Sequence, residues 1–276
     1  MKKVLLIGPW IGEFGWLLMR WQGRCRKYAL DNRSKYHKII VSTLKGTELL
    51  FSDYADEIIH SKYDKNCECW MTRGLGDPRF SETEFTNIQK RHPSCKIEWY
   101  RPTKETTAMS MEDQQFLQLG CSTKSRKYDL LIHARNCNKR KTGNRDWPIS
   151  KWLEVTEYFK KKIKIASIGS PKLSTHVGYT DDLRGKPLEI LADYVASSRL
   201  IAGPSSGPMH FASLCKTPHL VWTDSRRWGG AKGTNKHRYE KSWNPLGTKC
   251  RVLDDCNWQP QVSVVIRNIK DMLGML

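Results

Sequence analysis

The chain has 276 residues, with 47 lysines and arginines against 28 aspartates and glutamates, a formal net charge of +19. A hydrophobic share of 39% and 11 tryptophans exclude a disordered polypeptide. At about 100–200 residues per domain the length predicts two modest domains and excludes a disulfide-stapled miniprotein.

No stretch approaches the roughly 20 consecutive apolar residues of a membrane span. The opening apolar run stops at Gly8 and Pro9, so a secretory signal is not expected either. With 9 cysteines and no such signal, the chain is expected in a reducing, cytoplasmic compartment with free thiols. Cys67, Cys69 and Cys95, with His60 or His92, have the donor types for zinc but lack the paired CxxC spacing, so no metal is expected.

The chain begins with an apolar strand, Val4 to Ile7. A glycine-rich loop from Gly8 to Gly15 follows, and then a helical stretch with Trp16, Met19 and Tyr28 on its apolar positions. A second strand is predicted over Lys38 to Ser42, a short helix over Thr47 to Phe51, and a further strand at Glu57 to His60. Residues 62–104 are less regular, with Arg73-Gly74-Leu75-Gly76-Asp77-Pro78 as an evident turn. A helix is expected from Met111 to Leu119, and the polar stretch Ser122 to Lys127 reads as a linker. The alternation then restarts with strand Tyr128 to His133, a long basic loop, and a helix from Ser150, read as its N-cap, to Lys162. Strand 163–168, helix 187–197, strand 199–202, helix 210–215 and strand 219–223 complete the pattern. Strands alternating with helices predict parallel sheets in two doubly wound α/β halves, 1–125 and 126–276, with a ligand cleft between their carboxyl edges.

Two segments of the second half carry chemistry. Residues 201–210 run from a strand end through Gly203, Pro204, Ser205, Ser206 and Gly207 to a helix start, where exposed N–H groups and the helix dipole suit a phosphate or, equally, an ordinary capped turn. Residues 135–148 place Arg135, Lys139, Arg140, Lys141 and Arg145 after a predicted strand. Their mutual repulsion calls for an anion.

These segments resemble the heptosyltransferase-like glycosyltransferases. Asp182 to Ala192 followed by Ser197 to Ser213 is similar to the family's carboxyl-terminal signature, Arg145-Asp146-Trp147-Pro148 to its Lys-Arg-Trp-Pro segment, and Ile7 to Glu13 to its amino-terminal loop. The resemblance implies the GT-B arrangement of two Rossmann-like domains, a nucleotide-sugar donor held mainly by the second and an acceptor held mainly by the first. It further implies inverting transfer with no metal and no resident cofactor. Glu13 takes the place of the family's catalytic aspartate as the base that deprotonates the acceptor hydroxyl, and Gly12 lies beside it on the acceptor side. Arg135, Lys139, Arg140, Arg145, Ser205, Ser206, Gly207, Met209 and His210 are the expected donor-binding residues, with Ser205 where the family has an acidic residue.

The charge is uneven. Residues 1–125 hold 20 basic and 15 acidic side chains, a net +5, and residues 126–276 hold 27 and 13, a net +14. The stretch 226–243 contributes Arg226, Arg227, Lys232, Lys236 and Arg238 among Trp228, Tyr239 and Trp243. Basic residues interleaved with aromatics on a flexible loop suit a nucleic-acid backbone with bases to stack on. The expected acceptor is therefore a hydroxymethylated pyrimidine in DNA of the kind found in bacteriophages, which would put the protein in a host cytoplasm. A glycolipid at an anionic membrane surface is the alternative, and a non-catalytic nucleotide-sugar or nucleic-acid binder is the third reading.

Overall fold

The computed structural model describes residues 1–10, 12–61, 78–103, 111–121, 127–137, 145–224 and 235–276, without the side chains of 78–81. Two compact units divide the chain, Met1–Leu117 and Gln118–Leu276. The linker expected around 122–127 lies almost wholly outside the described residues. The stretch just ahead of it belongs to the second unit, where the Leu119 N–H donates to the Leu214 carbonyl and the Cys121 N–H to Asp193 Oδ1, both at 2.9 Å.

In the first unit the strands β1 (Lys3–Ile7), β2 (Lys38–Thr43), β3 (Glu57–His60) and β4 (Lys96–Tyr100) form a parallel sheet in the order β3-β2-β1-β4. Both faces of β1 are covered, which is why Val4, Leu5, Leu6 and Ile7 are all apolar rather than alternating. On one face Val4, Leu6 and Ile40 pack with Ile88 of α3 (Pro78–Arg91) and with the stacked pair Phe85 and Trp99. On the other a helical run starts after Glu13 as α1 (Phe14–Trp16), passes through a π-helical turn at Leu17–Trp21 and continues as α2 (Gln22–Asp31). Trp21 of that turn stacks on Trp10 at 5.9 Å and on Tyr100 at 5.5 Å, and Tyr28 stacks on Tyr100 at 4.2 Å. The series ends in polar contacts, Tyr28 hydroxyl to Tyr36 hydroxyl, Tyr36 hydroxyl to Glu98, and Glu98 to Lys3.

Three expectations change here. The helix expected over 111–119 is a turn at Met111–Asp113 followed by irregular chain, because its polar groups bond to α2 instead. The Gln115 N–H donates to the Gly23 carbonyl at 2.8 Å, and Asp113 pairs with the buried Arg24 at 3.3 Å. The short helix at 47–51 is a single 3-10 turn, Glu48–Leu50. Within 62–104, α3 and β4 are regular elements; the alternation of Ile97 and Trp99 along β4 is the signal that marks them.

The second unit is built on β5 (Leu130–Ile132), β6 (Ile165–Ser167), β7 (Asp181–Asp182), β8 (Leu200–Pro204), β9 (His219–Trp222) and β10 (Cys250–Leu253). They pair in parallel in the order β10-β9-β8-β5-β6-β7. Beside them run α4 (Ile149–Phe159), α5 (Leu188–Ala196), α6 (Gly207–Leu214), α7 (Asn235–Glu240) and α8 (Val262–Leu273). Trp147, Trp152 and Trp222 meet at 5.0–5.3 Å in the core, with Val155 and Phe159 of α4 and with Val265, Ile269 and Leu273, spaced by four along α8. Helix α4 is entered from Pro148, whose extended backbone precedes Ile149, so Ser150 lies inside the first turn and is not the N-cap. Helix α6 begins three residues before the expected position because Pro208 fits a first helical turn. Strands β7 and β10 and helix α8 had no counterpart in the sequence reading. Among the described residues no helix is long and apolar enough to cross a membrane.

Gly8 holds the exit of β1. Its φ is +95°, and a Cβ there would sit 2.3 Å from the Ser42 carbonyl oxygen of the neighbouring strand. A Gly8→Ala substitution combines left-handed strain with a backbone clash and is expected to cost about 3 kcal/mol, read from urea denaturation of the variant against the parent.

Candidate functional site

In each sheet the strand order reverses at one place. The first unit reverses at β1, which lies between β2 and β4; the second reverses between β5, which leads on to β6, and β8, which leads on to β9. Open α/β sheets bind ligands beyond the carboxyl ends of the strands at such points. The loop 8–13 leaves β1 at the first reversal, and the segments starting at His133 and Ser205 leave β5 and β8 at the second.

Those two segments are locked side by side. Ile132 pairs with Ala202, the His133 N–H donates to the Ala202 carbonyl at 3.0 Å, and Gly203 passes so close that a Cβ would lie 3.2 Å from His133 Cβ, the His133 carbonyl and Met209 Cε. The Arg135 guanidinium forms an ion pair with Asp146, and the other oxygen of that carboxylate accepts the Cys137 N–H at 2.7 Å. Arg145 lies over the Trp258 ring, 4.9 Å from its centroid, and Gln259 holds the Asp146 carbonyl at 3.1 Å. Lys139 and Arg140, like Lys141, fall outside the described residues.

The turn into α6 has a closed internal account. Its serines turn inward: Ser205 is buried and accepts from the Tyr239 hydroxyl at 3.1 Å, and the Ser206 hydroxyl donates to the Pro204 carbonyl at 2.8 Å. The N–H groups of Met209 and His210 both point to the Ser206 carbonyl, at 3.0 and 3.3 Å. Pro208 has no N–H. The Ser206 and Gly207 N–H groups are thus the amides of this turn without an acceptor among the described residues. Met209 has no exposed surface. Its side chain is core, and an anion would meet the turn through Ser206 and Gly207.

His210 is buried between aromatics, stacked on Tyr239 at 5.2 Å and edge-on to Trp243 at 4.8 Å. Burial, reinforced by His219 nearby, drops its pKa to about 3. The same cause holds His219 and His133 at about 4.

The basic stretch departs most from its sequence reading. Its last part is helix α7, and Tyr239 and Trp243 are 0% and 6% exposed, packed on His210 rather than offered to bases. Lys236 is exposed on that helix. Arg238 is half-buried over Trp243, with its Nη1 3.4 Å from Asn235. Arg226, Arg227, Trp228 and Lys232 lie outside the described residues.

In the first unit Gly12 is buried and Glu13 half-buried. The Glu13 carbonyl accepts the Leu17 N–H at 2.9 Å, but its carboxylate does not cap the helix that follows. Cys67 and Cys69 lie outside the described residues, and among the described residues no three His, Cys, Asp or Glu side chains group as a metal site.

Asp146 and Tyr239 have other roles in the sequence reading, the first within a motif and the second as an aromatic for nucleic acid, and Trp258 is not singled out. A lone carboxylate inside a run of cations is the signal for the Asp146 ion pair; Tyr239 and Trp258 come from distant segments with no local signature of this place.

The two parallel sheets and their carboxyl-edge loops make a Rossmann-like α/β architecture, and the fold is similar to those of solved glycosyltransferases. A glycosyl transferase family 9 structure from Veillonella parvula matches at TM-score 0.60 and 12% identity, over 100% of this chain and 98% of that one. ADP-heptose LPS heptosyltransferase II of E. coli matches at 0.58 and 15%, over 99% and 98%. An E. coli heptosyltransferase with ADP matches at 0.58 and 10%, over 98% and 99%. No family model and no curated protein matches the sequence.

His133, His210 and His219 are neutral in the fold and titrate near 6.5 when unfolded. Their folded pKa values are depressed, so the stability they permit is complete above pH 6.5 and is lost as the pH falls toward 4. At pH 5.5 each costs about 1 kcal/mol, and the three together a few kcal/mol. Urea denaturation at pH 7.5 and 5.5 should show that difference, and replacing His219 by Gln should reduce it by about a third.

Proposed function

We propose that the protein is a glycosyltransferase that moves a sugar from a nucleoside-diphosphate donor to a hydroxyl acceptor, with the donor on the second unit and the acceptor on the first, the GT-B plan. The observation that carries this reading is the convergence at the β5/β8 reversal of the Gly207 N–H at the head of α6 with Arg135 and Arg145. A leaving diphosphate gains negative charge as the glycosidic bond breaks, and fixed N–H groups and guanidiniums are what such charge requires. Arg135, already paired with Asp146, serves as a positioned cation, and Lys139 and Arg140 supplement it. The proposal includes transfer without a metal or resident cofactor, so full activity in excess chelator is part of it.

Glu13 is the proposed base. It takes the acceptor proton as the hydroxyl oxygen attacks the anomeric carbon from the face opposite the diphosphate, which inverts the centre. Gly12 shapes the same loop. Replacing Glu13 by Gln should lower kcat by about 10²–10⁴-fold while leaving donor Kd within about twofold, as measured by calorimetry beside turnover. Undiminished turnover would reject the base, and turnover absent from the parent with every donor would favour the non-catalytic reading.

For the acceptor we favour a glycolipid over hydroxymethylated DNA. The burial of Tyr239 and Trp243 takes two aromatics away from any nucleic-acid interface, and one structural neighbour is named for lipopolysaccharide. Arg226, Arg227, Lys232, Lys236 and Arg238 then meet anionic headgroups rather than a DNA backbone. Labelled nucleotide sugars offered with core glycolipid or with hydroxymethylated DNA decide the matter: label is expected in the lipid, and label confined to the DNA would reverse the preference.

A further inference from the structure

We propose that Tyr239 is a positioning residue for the diphosphate-binding turn at the head of α6, an inference that rests on the donor-site reading above. The turn is held at two places. At one end the Ser205 N–H donates to the Trp222 carbonyl of β9 at 2.9 Å. At the other the Tyr239 hydroxyl donates to Ser205 Oγ at 3.1 Å. A single buried oxygen therefore anchors the residue just before Ser206, which must run fully extended, at φ −167° and ψ 173°, before the helix begins.

Tyr239 is itself fixed from several sides. It has no exposed surface, its ring stacks on His210 of α6 with planes 18° apart, and Trp243 meets it edge-on at 5.3 Å. Its helix is tied to the end of β9 through the hydrogen bond from the Asn235 side chain to Thr223 Oγ1. Burial drives the phenol pKa far upward. The hydroxyl thus keeps its proton and remains a donor to Ser205.

The consequence for a ligand follows from the amides of the turn. With the Met209 and His210 N–H groups directed to the Ser206 carbonyl, the Ser206 and Gly207 N–H groups are left to meet a diphosphate oxygen. Removal of the hydroxyl leaves the buried Ser205 Oγ to find another partner. The Ser205-Ser206 peptide then reorients and takes the Gly207 N–H off its line. Tyr239 acts through the turn and does not touch the ligand.

The test is a cycle of Tyr239→Phe, Ser205→Ala and the double variant, each checked for folding by its melting transition. Calorimetry with ADP, GDP, UDP and CDP gives nucleotide affinity, and steady-state kinetics separate the two substrates. Tyr239→Phe keeps the ring and its stacking, so it should weaken the preferred nucleotide and raise donor KM by about five- to tenfold, the loss of one buried hydrogen bond, with acceptor KM unchanged. Ser205→Ala should weaken nucleotide binding to a similar degree, and the double variant should be no weaker than the worse single one, since both remove the same contact. Equal binding by the parent and a folded Tyr239→Phe variant overturns the inference and leaves the donor site standing, as do losses that multiply in the double variant. If the parent binds none of the four nucleotides, the donor-site reading fails and takes this inference with it. Should Tyr239→Phe fail to fold, Ser205→Ala decides alone, by a weakened or an unchanged affinity.

Discussion

The parallel pairing of β5 with β8 is the contact on which the second unit's chemistry depends. These strands are far apart in sequence, and their register sets His133 beside Ala202 and brings the chain after each strand to one point of the sheet edge. Strands that pair in parallel cannot be joined by a tight turn, so each must hand its chain to a long connection. The connection after β5 supplies the cations and the one after β8 supplies the helix start. The close passage of Gly203 against His133 is the steric condition for that meeting, and a side chain there would push apart the very loops that converge.

The site's electrostatics are more economical than the sequence total of +19 implies. Arg135 is held by Asp146, and both are mostly sheltered, at 12% and 22% side-chain exposure, which makes this pair stiffer than a surface salt bridge. Arg145 rests on Trp258, where an aromatic face stabilises a cation without neutralising it. One guanidinium thus has a carboxylate partner and the other an aromatic face, and the two arginines are not equivalent despite their common loop.

Much of the architecture was legible because parallel strands covered on both faces are continuous apolar runs. Val4 to Ile7, Leu130 to Ile132 and Leu200 to Ala202 announce themselves in this way, and the glycine-rich connections mark their ends. Legibility failed where long-range contacts override local pattern. The stretch 111–117 has a helical composition, but Arg24 and Gly23 on α2 claim its polar groups. The basic-aromatic stretch reads as a solvated loop, yet His210, forty residues or fewer upstream, recruits Tyr239 and Trp243 into the core. The turn at Ser205 to Gly207 was legible as a strand-to-helix turn; the inward-facing hydroxyl of Ser205 was not, because it answers to Tyr239.

The tryptophans have a consequence of another kind. Trp10 and Trp21 stack in the first unit, and Trp147, Trp152 and Trp222 form a triangle in the second, with every ring in near contact with another. Indoles so close share their excited states, and fixed, tilted rings in an asymmetric interior give intense near-ultraviolet circular dichroism. Each unit therefore carries a built-in chromophore assembly. Trp10 lies on the loop that leads to Glu13 and Trp147 follows Asp146 directly, so each assembly has one member beside a proposed site residue of its own unit.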